Sequence, residues 1–110
     1  MSDIRWTGAE KKLARRAFEA ALEKALATTM DAFKSKAAAA ESPSDMWAIE
    51  SFLRHQRREI DRIFDYRYSQ LLLVFAVLIR RKYLDESQLA GLSDDKLEEI
   101  RHCLSYGAAE

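Results

Sequence analysis

The sequence has few of the residues that interrupt helices: three glycines and one proline in 110 residues. Sheet folds and alternating strand–helix folds need many Gly- and Pro-containing turns, so this scarcity excludes both classes. The single cysteine, Cys103, cannot form an internal disulfide, which excludes a disulfide-stapled secreted scaffold. The common residues are instead the strong helix formers Ala, Leu, Arg, Glu and Lys. The composition predicts an all-α protein built from a few long helices.

Charge and apolar runs exclude two further classes of protein. Lys and Arg total 18, as do Asp and Glu, so the formal net charge is zero, whereas a general nucleic-acid binder carries a basic excess. The longest apolar run, 71–79, is less than half of the about 20 residues that a membrane-spanning helix needs. The first ten residues lack the apolar core of a signal peptide, so we expect a cytoplasmic protein.

Two long helices are predicted over residues 7–40 and 44–68. Thr7 and Glu10 have the spacing of a capping box, and no Gly or Pro lies between Glu10 and Pro43. Pro43 restricts the residue before it and ends the first helix. Ser44 or Asp45 is the expected cap of the second helix.

The second helix carries a heptad seam, an apolar stripe with a seven-residue repeat whose one polar member is Gln56. A short seam of this kind serves either packing within one chain or self-association. Long helices with narrow apolar faces find too few partners within one chain of this length, so we expect a homodimer. The predicted interface combines the seam with the stripe of the first helix: Leu22, Leu26, Met46, Ile49, Leu53, Ile60 and Ile63.

The rest of the chain, 69–107, is expected to form a buried helix followed by a small helical head. The run 71–79 has no second strand to pair with and is therefore predicted to be a helix. Asp85 and Ser93 are the expected caps of two short helices that follow, and Gly107 is the expected end of the last one. We treat 1–110 as a single helical domain.

Motifs of catalysis are missing from the sequence. It has no phosphate-binding glycine loop, nucleophile elbow or zinc motif, and Cys103 points about 100° away from His102 on a helix. We therefore expect no enzyme, no cofactor and no metal site. Trp47, Phe52 and Arg57 are the residue types that anchor protein interfaces. The alternatives are a solvated face with pairs such as Arg57–Asp61 and a nucleic-acid surface of Arg54, Arg57, Arg58 and Arg62.

Residues 44–104 resemble the fluorescence recovery protein family of cyanobacteria. Against the family's DxW, FL, KRxEID, YDxRxS and FVFA, the chain aligns without gaps through Asp45-Met46-Trp47, Phe52-Leu53, Arg57, Glu59-Ile60-Asp61, Asp65, Arg67, Ser69 and Val74-Phe75-Ala76. The tail is similar through Leu89, Leu92, Asp95-Lys96 and Ile100.

The resemblance implies an all-helical homodimer that is a regulator and not an enzyme. Such a protein binds the C-terminal domain of the photoactivated orange carotenoid protein and accelerates its return to the resting form. The family's interaction surface includes a Trp and an Arg that match Trp47 and Arg57. It also includes a His-Asp pair, which Glu50 and Ser51 replace here, so the partner electrostatics are changed. The alternative is a helical adaptor with an unrelated protein partner.

Overall fold

The computed structural model of the chain describes residues 5–106, and these form four α-helices and no strand. The helices are α1 (Gly8–Ala39), α2 (Pro43–Ile63), α3 (Leu71–Arg80) and α4 (Asp94–Ser105), with a short 3-10 helix (Glu86–Leu89) between the last two. The predicted all-α class is confirmed, and the run 71–79 is helical. No helix in 5–106 combines the length and the apolar character that a membrane span requires.

The start of α1 is fixed by a capping box between Thr7 and Glu10. The Glu10 N–H donates to Thr7 Oγ1 at 3.1 Å, and the Thr7 N–H donates to Glu10 Oε1 at 3.0 Å. These bonds satisfy two of the backbone donors that a helix start leaves unpaired. The same arrangement recurs at the 3-10 helix, where Asp85 and Gln88 cap each other reciprocally.

The ends of α2 differ from the sequence prediction. The helix begins at Pro43, and its cap is Ser42, whose side chain accepts from the Asp45 N–H at 3.2 Å. Proline suits the first helical position because its fixed φ is already helical and no donor is lost there. The helix ends at Ile63, five residues before the predicted end at 68. The backbone leaves the helix at Phe64, and the ring of Tyr66 packs against Phe18 at 4.8 Å, so aromatic packing replaces the last helical turn.

The core lies at one end of the molecule, which we call the head (residues 5–25 and 63–106). Its fully buried large side chains are Leu71, Phe75, Leu78, Leu89 and Ile100. On α1 the buried residues are mostly alanines, including Ala14 and Ala21, so the other elements approach this helix closely. A Cβ added at Gly91 would lie 2.6 Å from Leu13 Cδ1. The predicted helix end at Gly107 lies outside the described residues.

The remainder is an antiparallel hairpin, which we call the stalk (residues 26–62). None of its residues, all of which the structure describes, is buried. The polar member of the seam, Gln56, donates to Thr29 Oγ1 at 3.2 Å and so joins α2 to α1 within the protomer. The protein measures 53 × 25 × 20 Å. Its radius of gyration is 16.7 Å, against about 13 Å for a compact chain of this length.

Candidate functional site

Trp47 is the fifth residue of α2, close to the tip of the stalk, and its side chain is 62% exposed. The tip is held by Asp45, which accepts the Glu41 N–H at 2.9 Å. This bond and those to Ser42 hold the pKa of Asp45 below its usual value. Because the side of α2 that meets α1 carries Ile49 and Gln56, the indole of Trp47 is left facing solvent. A large exposed Trp on a fixed helix start is a surface suited to a protein partner.

Glu50 and Ser51 follow Trp47 by one helical turn and are both exposed. Residues three and four apart are neighbours on a helix surface, so the three side chains form one patch. Glu50 accepts a hydrogen bond from Arg54 within the same helix. The Glu50 carboxylate is therefore partly neutralised by its own helix.

Arg57 lies ten residues after Trp47, a rise of about 15 Å along α2. It is exposed, and it forms no ion pair with any residue in the part of the chain that the structure describes. The alternative pairing with Asp61 is absent there. Arg57 thus presents its donors to solvent, as a charge-assisted contact to a partner requires.

Two of the other three arginines of the alternative nucleic-acid surface, Arg54 and Arg62, are partly neutralised. Arg54 pairs with Glu50, and Arg62 pairs with Glu59 at 2.7 Å. Glu59 also accepts from Arg81 at 3.1 Å. The bonds from Arg62 and then Arg81 lower the pKa of Glu59 to about 2. These carboxylates among the arginines disfavour binding to a phosphate backbone.

The predicted dimer residues divide by exposure. Leu26 and Met46 are each 52% exposed, whereas Leu22, Ile49, Leu53 and Ile60 are half-buried. Ile63 is only 6% exposed and packs in the core of the head. Its assignment to the dimer contact is therefore corrected, because the protomer's own core already covers it.

An apolar face runs along one side of the stalk and includes one residue that the sequence analysis left out of the interface. Met30 is 51% exposed and lies four residues after Leu26, a spacing that could have identified it. Nearer the tip, Phe33 and Met46 border a groove of about 500 Å³ between the two helices. Phe52, in contrast, is covered by Lys36, whose Nζ lies 4.8 Å from the ring centre, so it is a poorer anchor than Trp47.

The structure shows no metal-binding group of side chains within residues 5–106, since no group of His, Cys, Asp and Glu side chains in that range could hold a metal ion. The His102 ring packs on Tyr106 at 4.7 Å between centroids. Burial and the nearby Glu99 raise the pKa of the Cys103 thiol, which lowers its nucleophilic fraction.

Comparisons with known proteins agree over the head and the stalk. The family described as "Photoprotection regulator fluorescence recovery protein" matches residues 6–104. The fluorescence recovery protein of a Synechocystis strain is 29% identical over 96 residues, which cover 87% of this chain and 88% of that protein. Its solved structure superposes with a TM-score of 0.87 at 28% identity, covering 92% of this chain and 99% of that one. The structure of the Fremyella diplosiphon fluorescence recovery protein gives a TM-score of 0.86 at 35% identity, covering 93% and 99%.

Proposed function

Because the chain belongs to the fluorescence recovery protein family of photoprotection regulators, we propose that it binds the C-terminal domain of an orange carotenoid protein or a closely related domain. Binding accelerates the return of that domain to its resting state. The observation that carries the proposal is the exposure of both Trp47 and Arg57, which the sequence resemblance matches to a Trp and an Arg of the family's interaction surface.

The proposed mechanism is a shift of a conformational equilibrium. A protein that binds the compact state, or the transition state leading to it, more tightly than the open state speeds the return without forming a covalent bond. Trp47 supplies apolar area at one end of the surface, and Arg57 supplies charge-assisted hydrogen bonds about 15 Å away. This division of roles requires a rigid helix between them, and α2 is unbroken from Pro43 to Ile63.

A second copy is the proposed occupant of the apolar face of the stalk. The protomer exposes 7421 Å², against about 6,200 Å² for a compact monomer of its mass. Leu26, Met30 and Met46 expose apolar area on the stalk. No residue of the stalk is buried within the protomer. Closed two-fold pairing covers such a face on both copies at once.

The proposed site is tested by Trp47→Ala and Arg57→Leu. The dark recovery of a photoactivated orange carotenoid protein is followed by absorption, and binding to it by titration. We expect each change to weaken binding about tenfold or more, with helix content by circular dichroism unchanged since both side chains are exposed.

The controls are Tyr106→Ala and Arg58→Leu. Tyr106 is an aromatic residue 72% exposed on the head, and Arg58 is the exposed neighbour of Arg57. Both control variants should accelerate the dark recovery of the carotenoid protein as much as the natural protein does. If the site variants and the controls behave alike, Trp47 and Arg57 are not the contacts, and a natural protein with no effect on recovery overturns the proposed function.

The departure at Glu50 and Ser51 gives a second test. Glu50→His with Ser51→Asp restores the residue types of the resemblance: it moves the carboxylate from position 50 to position 51 and places an imidazole where the carboxylate was. We expect the double variant to accelerate recovery of a cyanobacterial carotenoid protein more than the natural sequence does. A natural protein that is already fast, and a double variant that changes nothing, would show that these positions do not set recognition.

A further inference from the structure

A second charged surface lies on the head, at the opposite end of the molecule from Trp47. It consists of four exposed cations in successive turns of α1, Lys11, Lys12, Arg15 and Arg16, and of the two rings Tyr66 and Tyr68 beside them. Together with Glu19 they line a shallow groove of about 420 Å³. We call these six residues, without Glu19, the basic–aromatic patch.

The cations of the patch form no ion pair within residues 5–106, and the one carboxylate that lines their groove, Glu19, leaves four cations facing a single anion. Lys12 and Arg16 form no hydrogen bond or ion pair with any residue in that range, and Glu10, the nearest carboxylate on the amino-terminal side, is taken by Lys96. Like charges four residues apart repel on a helix, and cations near a helix start oppose its dipole. The protein keeps an arrangement that costs stability and that an anionic partner would relieve.

The rings hold two of these cations in place. The Arg15 guanidinium lies 3.9 Å from the centre of the Tyr66 ring, and Lys11 Nζ lies 5.4 Å from that of Tyr68. A guanidinium stacked on a ring keeps its N–H edge free for planar acceptors such as carboxylates. The two rings are in turn fixed by each other, at 5.6 Å between centroids, and Tyr68 by Trp6 at 5.4 Å.

We propose that the basic–aromatic patch of the head is a docking site for an acidic polypeptide segment, one with closely spaced Asp or Glu side chains. From Lys11 to Arg16 the helix rises about 7.5 Å, and alternate side chains of an extended segment are about 6.6 Å apart. Two carboxylates of one short segment therefore reach cations at both ends of the patch. The site does not depend on the proposed carotenoid-protein partner.

A nucleic acid or a membrane fits the patch less well than an acidic polypeptide. Single-stranded nucleic acids bind where aromatic faces stack on bases, and here Arg15 and Lys11 occupy the faces of Tyr66 and Tyr68. A lipid surface is held by apolar side chains that insert below the headgroups, and the groove is lined by Lys, Arg, Glu and Tyr with no aliphatic residue.

The test uses Trp6 as a built-in reporter, since its ring touches Tyr68. In a Trp47→Phe background Trp6 is the one remaining tryptophan of the chain. The full-length protein is titrated with a blocked hexaglutamate peptide at low salt and followed by fluorescence. Lys12→Gln with Arg16→Gln should weaken binding about tenfold through the loss of two exposed charge contacts. Lys34→Gln with Arg58→Gln, which removes the same charge elsewhere, should leave binding unchanged.

Three results overturn the proposal. Equal losses in the two double variants mean that net charge, and no particular surface, attracts the peptide. Equal binding of a hexaglutamine peptide means that carboxylates are not recognised. Tighter binding of a single-stranded hexanucleotide, or of vesicles rich in phosphatidylserine, than of hexaglutamate assigns the patch to another class of partner.

Discussion

Lys82 has a backbone conformation that L-residues rarely adopt, with φ of 70°. It follows the last turn of α3, where the Lys82 N–H donates to Ile79 O at 3.0 Å and the Tyr83 N–H donates to Leu78 O at 2.9 Å. These two bonds are those of a Schellman motif, whose left-handed position is normally a glycine. The motif satisfies carbonyls at the helix end and turns the chain toward the 3-10 helix.

We expect Lys82→Gly to stabilise the protein by about 1 kcal/mol, because glycine has no Cβ to clash in the left-handed region. Urea unfolding followed by circular dichroism measures the change. Lys82→Ala retains the clash and should give no gain. An equal gain from alanine would mean that removing the lysine charge near Arg80 and Arg81, and not backbone relief, is the cause.

A buried ion pair joins the start of α1 to the start of α4. Lys96 Nζ lies 3.1 Å from Glu10 Oε1, and both side chains are less than a tenth exposed. Glu10 also accepts backbone N–H groups of Thr7 and Ser93, at 3.0 and 2.9 Å. The Thr7 bond first, then those from Ser93 and Lys96, lower the pKa of Glu10 against the opposing effect of burial.

Removing one partner of this pair should be costly. Lys96→Met leaves the Glu10 carboxylate buried without its cation, and we expect a loss of about 3 kcal/mol of unfolding free energy. Because the folded pKa of Glu10 lies below its unfolded value, its stabilisation is complete above about pH 4.5 and is lost as the pH falls through the folded pKa.

The difference in urea midpoint between the natural protein and Glu10→Gln should therefore shrink on acidification from neutral pH to pH 3. Other carboxylates with lowered pKa titrate in both proteins and cancel in this difference. A difference that is the same at both pH values would show that the charge of Glu10 does not contribute.

At the scale of the elements, local signals predicted the helices and most of their caps, although the cap of α2 is Ser42 and not the expected Ser44 or Asp45. The capping box at Thr7 and the cap at Ser93 depend on spacings of three residues, and both are formed. The end of α2 was not predictable, because nothing in the sequence between Ile63 and Tyr68 breaks a helix. The aromatic contacts of Phe64 and Tyr66 with Phe18 decide it, and they join residues about 46 positions apart.

Glu59 connects α2 to the end of α3 by accepting from both Arg62 and Arg81. Glu59→Gln should lower the thermal midpoint, because the neutral amide loses two charge-assisted contacts at once. The pKa of Glu59 is lowered to about 2, so its stabilisation is complete above about pH 4.5 and is lost as the pH falls toward 2. Asp61→Asn is the matched control, since Asp61 is an exposed carboxylate on the same helix that has no such partner within residues 5–106. A control that costs as much as Glu59→Gln would contradict the connection.

At the scale of the whole molecule, sequence patterns located apolar stripes but not what covers them. The periodicity that placed Leu26 and Ile63 in one interface is the same for both residues. The structure separates them, since Ile63 is 6% exposed in the core of the head and Leu26 is 52% exposed on the stalk. Coverage depends on where the head packs along the hairpin, and that is set by contacts distant in sequence. For the same reason, the sequence identified Trp47 as a residue type that anchors interfaces, but only the structure shows that its side chain is exposed.

The dimer proposal predicts a change of mass on charging the stalk. Leu26→Glu and Met46→Glu should each convert a dimer of 12.7 kDa chains into monomers, measured by light scattering at micromolar concentration. A charge buried at a second copy's surface without a partner costs several kcal/mol. Leu53 and Ile60 are poorer choices, because they are half-buried in the protomer and a charge there also unfolds it. Leu26 and Met46 are half-exposed, so helix content should persist.

Leu73→Glu is the control, since Leu73 is a similarly exposed leucine on α3 of the head, and this variant should remain dimeric. A natural protein that is monomeric, or a Leu73 variant that dissociates as readily as the other two, removes the stalk from the interface and leaves its apolar face to the protein partner.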